Sequence, residues 1–296
     1  MSASRPIYYG GQAVIEGVMM RGREKMAVAV RRPTGELSVT SQPLPGLYKG
    51  RLRELPFLRG IIILIETLAL GVQSILHSAQ IAAAEEEQKS LSPAALWGTV
   101  ALGIGFGIAL FFVLPLLITR YLIDPYITSA LLSNIVEGVL RIGVFIAYLK
   151  IIALMPDIKR LFAYHGAEHK VVNAYESGMP LELTSVKGYS TSHVRCGTSF
   201  LVAVLVIAIF VFALFGRPSL WLSILSRIVL IPVIAALGYE FVRFSAAHSD
   251  SPVMRSLIVP GLWLQSLTTR EPDDAQLEAA LAALRTVVEA DSSSPQ

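Results

Sequence analysis

A long segment without any charged side chain is the feature that most constrains the fold. Residues 94–119 contain no Asp, Glu, Lys or Arg, and most of them are apolar. A helix of this length can cross the hydrocarbon core of a bilayer, which is about 30 Å thick. Only 16% of the 296 residues are charged and 53% are hydrophobic, whereas soluble domains carry about 25% charged residues. The sequence therefore predicts an α-helical integral membrane protein rather than an ordinary soluble enzyme or a disordered chain.

Four apolar segments are predicted to be transmembrane helices. They are residues 94–119, 129–155, 197–215 and 220–239. A further apolar segment, residues 59–84, carries Glu66, Gln73 and His77, which favours a membrane-associated helix that lies at the interface or packs against other helices. The sequence leaves open whether this segment spans the membrane.

The distribution of Lys and Arg predicts the orientation. These residues concentrate in residues 1–58, 156–196 and 240–296, whereas the turns at 120–128 and 216–219 hold one each. Cytoplasmic segments carry the excess of Lys and Arg in membrane proteins. Four spans place all three basic segments on one side, so we expect a multi-pass protein of the cytoplasmic membrane with both termini in the cytoplasm.

The polar segments also carry structural signals. Residues 1–58 are predicted to form a cytoplasmic β-rich region, with a hairpin that pairs residues 27–30 with 36–40 across a Pro/Gly turn. Before it, residues 10–22 are rich in glycine, which indicates close backbone approaches or positive φ angles. In the cytoplasmic C-terminal region 240–296, residues 275–290 are predicted to form a helix that docks through an apolar face, because acidic residues precede it and leucines recur along it.

The cytoplasmic loop 156–196 contains the pattern His-x-x-Glu-His. His165 and His169 lie four residues apart on a helix predicted between Asp157 and Gly178, so both rings share one face and can hold one metal ion. Glu168 lies beside them, where it can accept a proton from a water molecule, and this order of residues is that of inverted zincins. The alternative interpretation is a helix with two surface histidines and an incidental glutamate.

A third metal ligand must come from outside this helix. His193 is the predicted ligand, because three histidines would leave an open position for water; a capping or surface histidine is the alternative. Further candidates are Cys196, Glu16 and His248. If Cys196 joined three histidines the site would be closed and structural, although Cys196 could instead be a small buried thiol. Glu16 could be a ligand, a hydrogen-bonding partner of a ligand, or half of a salt bridge with an arginine.

Charged residues also occur within the predicted spans. Glu137 and Arg141 are four residues apart and can pair on one face of a helix. Arg227 is expected to meet Glu66 or Glu137. Such residues either stabilise a helix bundle or mark a transport pathway, and four spans without a repeat favour the first interpretation.

These features lead to two hypotheses from different classes. The first is a metal-dependent hydrolase of the bacterial cytoplasmic membrane, with Zn²⁺ or another divalent metal as cofactor and its site at the cytoplasmic face; the motif order favours peptide hydrolysis by analogy alone. The second is a non-enzymatic membrane scaffold or assembly factor with a structural metal or none. The expected partners are the lipid bilayer and a protein or membrane-surface substrate, and a homo-oligomer is compatible with this. A net charge of +3 without a basic aromatic tract argues against nucleic acid.

Four motifs resemble a known family. They are residues 10–22, His165-Gly-Ala-Glu-His-Lys170, Arg195-Cys-Gly-Thr-Ser-Phe200, and Pro260-Gly-Leu-Trp-Leu-Gln265 with the following Thr268-Thr-Arg-Glu-Pro-Asp273. The chain resembles, from about residue 8 to residue 290, the YqhQ-like family of uncharacterised bacterial membrane proteins, which are described as predicted metal-dependent enzymes. The resemblance implies a bacterial inner-membrane protein and a metal at His165 and His169, and it implies no particular substrate.

Overall fold

A computed structural model of the chain describes residues 9–45, 55–83, 93–248 and 251–293. The parts of the predicted segments that fall on residues 1–8, 46–54, 84, 249–250 and 294–296 lie outside the described residues. The described residues form a small antiparallel sheet at the N-terminal end and a mainly helical remainder.

The sheet has four strands in sequential order. They are β1 (Gly10–Val14), β2 (Gly17–Arg21), β3 (Lys25–Arg31) and β4 (Leu37–Pro43), each antiparallel to the next. The predicted hairpin is present as β3 and β4, with Ala29 opposite Val39. The glycine-rich segment, to which the sequence assigned no regular structure, forms the β1–β2 hairpin. Its two-residue turn contains Glu16 at φ 52°.

Eleven helices are described after the sheet. They are α1 (Leu58–Ala83), α2 (Pro93–Ile108), α3 (Leu114–Ile118), α4 (Ala130–Ile152), α5 (Pro156–Glu176), α6 (Leu183–Val186), α7 (Gly197–Ala213), α8 (Leu220–Val229), α9 (Ile231–Ala247), α10 (Pro252–Thr268) and α11 (Asp274–Ser292). Two π-helical turns, Ala109–Val113 and Thr119–Ile123, flank α3 and are followed by a 3₁₀ turn at Asp124–Tyr126.

Helices cover both faces of the sheet. On one face, Val18 and Ala29 pack with residues of α5 and α11, among them Leu281. On the other face, Val28 packs in a cluster that includes Leu70 of α1. Because both faces are buried at the two central strands, β2 and β3 are apolar on successive residues instead of alternating. Helix α11 docks through its leucines as predicted.

Two helical segments within the described residues are individually long and apolar enough to cross a membrane, namely Leu58–Ala82 and Trp97–Tyr126. The count rises to four if each of two bent pairs forms one span. By length and composition, the segment 59–84 can therefore also cross a membrane. The charge-free segment 94–119 continues as a helical segment to Tyr126.

The other predicted spans are shorter or bent. The segment 129–155 is helical only to Ile152, and the chain then turns by 103° into α5, which begins with Pro156. The segment 220–239 is divided between α8 and α9 by a 45° bend, with Pro232 in the first turn of α9. Helix α7 ends at Ala213, so it is shorter than the predicted 197–215. Proline lacks the N–H that a continuous helix needs, which explains where the chain bends.

Glu137, Arg141 and Arg227 of the predicted spans form one buried cluster. Arg227 Nη2 lies 2.7 Å from Glu137 Oε2, and Arg141 pairs with the same carboxylate. The Arg141 Nε atom donates to the Phe111 carbonyl oxygen at 3.0 Å, within a π-helical turn. Glu66 instead pairs with Arg21. The cluster joins α4, α8 and the π-helical turn, as expected for charges that stabilise a bundle.

Candidate metal centre

Helix α5 places the two motif histidines one turn apart. It starts with Pro156, a residue favoured in the first turn, and the chain leaves the helix through Gly178 at φ 72°. The rings of His165 and His169 lie edge to face, inclined by 60°, with their centroids 4.4 Å apart. The predicted helix and the shared face are therefore both present.

The hydrogen bonds of the two rings determine which nitrogen atoms are free. His165 Nδ1 lies 2.8 Å from the carbonyl oxygen of Thr268, and His169 Nδ1 lies 2.6 Å from that of Thr191. A carbonyl oxygen only accepts hydrogen bonds, so each Nδ1 atom carries a proton, and in the neutral imidazole the Nε2 atom then presents the lone pair. His169 Nε2 is buried and has no hydrogen-bond partner among the described residues. Metal-binding histidines are commonly oriented in this way by backbone carbonyl groups.

Cys196 supplies a third donor atom at the same place. Its Sγ atom lies 3.3 Å from His165 Nε2, and the donor atoms of His165, His169 and Cys196 all lie within 4.8 Å of one another. Cys196 caps the N-terminus of α7, where Sγ accepts a hydrogen bond from the Thr198 N–H group at 3.4 Å. Two imidazole nitrogens and one sulfur form a ligand set that suits Zn²⁺.

His193, the predicted third ligand, lies beside this group and not within it. Its ring centroid is 5.9 Å from that of His169. Its Nδ1 atom accepts from the Arg195 N–H group at 3.3 Å, and its Nε2 atom lies 3.4 Å from a Glu176 carboxylate oxygen. Burial lowers the pKa of His193, and the Glu168 carboxylate opposes that shift. The structure therefore brings Cys196, and not His193, to the motif histidines.

Glu168 is held beside the donor atoms by the sheet. Its Oε1 atom accepts a hydrogen bond from the Gly11 N–H group at 2.9 Å, and its Oε2 atom lies 3.4 Å from His169 Nε2. A Cβ atom on Gly11 would lie 2.2 Å from the Met19 carbonyl oxygen and 3.2 Å from the Glu168 Cγ atom. The glycine in β1 thus permits the close approach that the glycine-rich sequence indicated.

The remaining candidates lie outside the donor group. Glu16 forms an ion pair with Arg160, with 2.8 Å between Arg160 Nε and Glu16 Oε1, which is the salt-bridge alternative for this residue. His248 is exposed at the end of α9, and its Nδ1 atom lies 2.9 Å from the Phe244 carbonyl oxygen of the same helix.

A cavity of about 350 Å³ opens onto the donor group. Its walls include Glu168, His193 and Arg195 as well as the three donor residues. The volume lies at the lower end of the range of small-molecule sites, which is about 300–1,000 Å³. The arrangement can accommodate a small reacting group beside the donor atoms and Glu168.

Residues at the C-terminal end of α10 hold the backbone around the site in place. Gln265 is fully buried; its side chain accepts from the His193 N–H group at 2.9 Å and donates to the His193 carbonyl oxygen at 2.8 Å. Beyond α10, the Arg270 N–H group donates to the Phe162 carbonyl oxygen at 2.9 Å, which fixes the Thr268 carbonyl oxygen against α5. No local sequence pattern predicts these contacts, because they join groups to the backbone of segments far away along the chain.

The substitution Gly166→Ala is expected to weaken metal binding. A Cβ atom at Gly166 would lie 2.1 Å from the Arg270 carbonyl oxygen, so α5 and the 268–270 segment must separate and the hydrogen bond to His165 Nδ1 is strained. Loss of such supporting contacts lowers metal affinity by about 10–100-fold. Zinc titration with a competing chelator measures the change. Gly188→Ala is the matched control, since Gly188 has open space around it; equal affinities in the two variants would contradict the prediction.

The fold and this site define a class: a chain with apolar helices and a two-histidine, one-cysteine donor group beside a glutamate. A family model described as "Protein of unknown function (DUF1385)" matches residues 55–290, a range that contains Glu168 and all three donor residues. The chain is 33% identical over 306 aligned residues to "Uncharacterized protein YqhQ" of Bacillus subtilis (strain 168), with 98% of this chain and 95% of that protein covered. No solved structure matches the chain. The chain belongs to the DUF1385 family, and YqhQ is a relative of this chain.

Proposed function

We propose that this chain is a zinc-dependent hydrolase of the cytoplasmic membrane, with its site at the cytoplasmic face. The observation that carries the proposal is the meeting of three donor atoms within 4.8 Å. Two of the donors belong to His165 and His169, whose rings are oriented by hydrogen bonds from Nδ1 to backbone carbonyl groups. The Glu168 carboxylate lies beside them, with Oε2 3.4 Å from His169 Nε2. This Nε2 atom is buried and has no hydrogen-bond partner among the described residues; a cation bound there would interact with both the Nε2 and the Oε2 atom.

Three protein ligands and one open position are typical of catalytic zinc sites, whereas four protein ligands are typical of structural ones. His193 would close the site, but it is not among the three residues whose donor atoms lie within 4.8 Å of one another, and its Nε2 atom lies 3.4 Å from a Glu176 carboxylate oxygen. A group of three donors favours the hydrolase over the structural-metal scaffold. A zinc ion bound at such a site lowers the pKa of water and polarises a carbonyl or phosphoryl oxygen.

Glu168 has the position of the general base. The Gly11 N–H group holds its Oε1 atom, and its Oε2 atom is left facing the donor group. Oε2 can therefore accept a proton from the attacking water and later return it to the leaving group of the substrate. Because Glu168 is only 6% exposed, bulk water has little access to this proton.

Arg195 gives the cavity wall a positive group. Its guanidinium group pairs with Glu176, which also approaches His193. A cation held in place by a neighbouring carboxylate can stabilise negative charge that develops on a substrate oxygen. The arrangement supports hydrolysis of an amide, an ester or a phosphoester, and the motif order favours the amide by analogy with other folds.

Metal removal tests the proposal. The purified full-length chain is assayed against amide, ester and phosphoester substrates before treatment, after a chelator, and after Zn²⁺ is added back. We expect chelation to abolish hydrolysis and Zn²⁺ to restore it, because zinc held by these residues would activate the attacking water. Hydrolysis that persists in the metal-free chain would contradict the proposal.

A further inference from the structure

A second cavity, of about 590 Å³, lies between helices α7, α9 and α10. Its walls are largely apolar, with Ala203, Val206 and Phe210 from α7, Phe241 from α9 and Leu257 from α10. The volume lies within the range of about 300–1,000 Å³ that is typical of small-molecule sites. The cavity is large enough for part of an apolar ligand.

The cavity opens on the apolar outer surface of the helices. Val206, Phe210 and Leu257 line it and are also 40%, 68% and 46% exposed. Apolar side chains exposed together around a cavity indicate a surface that is covered by another apolar molecule. For a chain with spans long enough to cross a bilayer, the apolar molecules that meet this surface are lipid acyl chains.

One segment of the chain separates this cavity from the metal centre. Within residues 193–199, His193, Cys196 and Thr198 line the cavity of the metal centre, whereas Val194 and Ser199 line the apolar cavity. Arg195 lines both. The two cavities are therefore neighbours that share the Arg195 side chain as a wall.

A buried hydroxyl group in the apolar cavity also points to a ligand. Ser245 lines the cavity and is 3% exposed, and its Oγ atom has no hydrogen-bond partner among the described residues. Buried hydroxyl groups are nearly always hydrogen-bonded. A polar atom within an otherwise apolar ligand, such as an ester or hydroxyl oxygen, would supply the partner.

We propose that the apolar cavity binds the fatty-acyl chain of a membrane lipid, and that the metal centre hydrolyses the ester of such a lipid. This inference rests on the proposed function. In the reaction, the oxygen of a water molecule bonds to the acyl carbonyl carbon and Glu168 takes the proton. The ester C–O bond then breaks, and the proton passes from Glu168 to the leaving alkoxide oxygen. The products are a fatty acid and an alcohol.

Photolabelling tests where the acyl chain binds. The full-length chain is reconstituted in phosphatidylcholine–phosphatidylglycerol vesicles that contain phosphatidylcholine with a diazirine on one acyl chain. After illumination, mass spectrometry locates the labelled residues, and the zinc content of the same sample is measured. We expect the label to concentrate on the cavity walls, compared with exposed apolar residues elsewhere such as Leu102 and Leu131.

Two variants fill the cavity and one control does not. Ala203→Phe and Val206→Trp are expected to lower wall labelling about tenfold, because overpacking excludes the chain. Leu201→Trp, on an exposed position of α7 outside the cavity lining, is expected to leave the labelling unchanged. The second filling variant guards against a folding defect in the first, and retained zinc shows that the site is intact.

Other results would overturn this inference. Uniform labelling of all apolar surfaces, or undiminished wall labelling in both filling variants with zinc retained, would exclude an acyl-chain site. If the cavity walls escape the lipid label and are cross-linked to a second copy of the chain, the cavity belongs to a dimer interface instead. Wall labelling in a chain without zinc would support the acyl-chain site and refute the proposed hydrolase, so the two failures are distinguishable.

Discussion

Replacement of Glu168 by glutamine is expected to lower kcat for hydrolysis by about 10²–10⁴-fold, the usual contribution of a general base. Glutamine retains the oxygen that accepts the hydrogen bond from the Gly11 N–H group, so the side chain keeps its place against β1. It cannot accept a proton at the position of Oε2. Because binding contacts are unchanged, KM is expected to stay nearly constant.

Zinc content and a matched variant control this comparison. Glu168→Gln is expected to bind as much zinc as the unmodified chain, since Glu168 is not one of the three grouped donors. Glu182→Gln, which makes the same chemical change at an exposed residue at the start of α6, is expected to leave kcat unaltered. Full activity of Glu168→Gln with zinc bound would remove the proposed base.

Replacement of His169 by alanine is expected to lower the zinc content from about one ion per chain to almost none, and hydrolysis with it. The remaining donors, His165 and Cys196, form too small a ligand set for a catalytic zinc site, which normally has three protein ligands. Since metal binding contributes directly to stability, the variant is also expected to unfold at a lower temperature than the zinc-loaded chain. Elemental analysis and thermal unfolding measure the two effects.

A second histidine variant provides the control for this loss. His248 is exposed at the end of α9, and its hydrogen bond is to its own helix. His248→Ala is therefore expected to retain zinc and to unfold at the same temperature as the unmodified chain. Equal zinc content in His169→Ala and His248→Ala would show that α5 does not hold the metal.

Local patterns were sufficient to predict the two helices of greatest interest, α5 and α11. Pro156 and Gly178 delimit α5, and the spacing of His165 and His169 follows from the helical repeat. The leucine pattern and the acidic start likewise predicted α11, whose first turn is capped by Asp273. Each of these signals lies within a few residues of the feature that it predicts.

Features that depend on distant contacts could not be predicted in the same way. The β1–β2 hairpin lies in a glycine-rich segment without alternation, because helices cover both faces of the sheet. His193 and Cys196 are three residues apart, and the sequence alone does not reveal which one joins the donor atoms of His165 and His169. In the structure, Gln265 holds the backbone of His193 while Cys196 caps α7, and both contacts depend on the packing of α10 and α7.

Composition predicted the apolar character of the chain better than the limits of its helices. The polar residues of the segment 59–84 favour a helix at the membrane interface or packed against other helices, and Glu66 is buried against Arg21 of the sheet. The helix therefore packs against the sheet while it keeps apolar residues on other faces. Similarly, Pro232 lies at the point where the segment 220–239 bends. The mean hydropathy of the segment does not reveal this bend.

The zinc content of Cys196→Ser and His193→Ala, measured beside the unmodified chain by elemental analysis, tests the central claim most directly. Serine preserves the cap of α7 but removes the thiolate donor. The structure predicts about one zinc ion per unmodified chain, a large loss in Cys196→Ser, and full retention in His193→Ala. Loss of zinc in His193→Ala with retention in Cys196→Ser, or no zinc in the unmodified chain, would contradict the proposed centre.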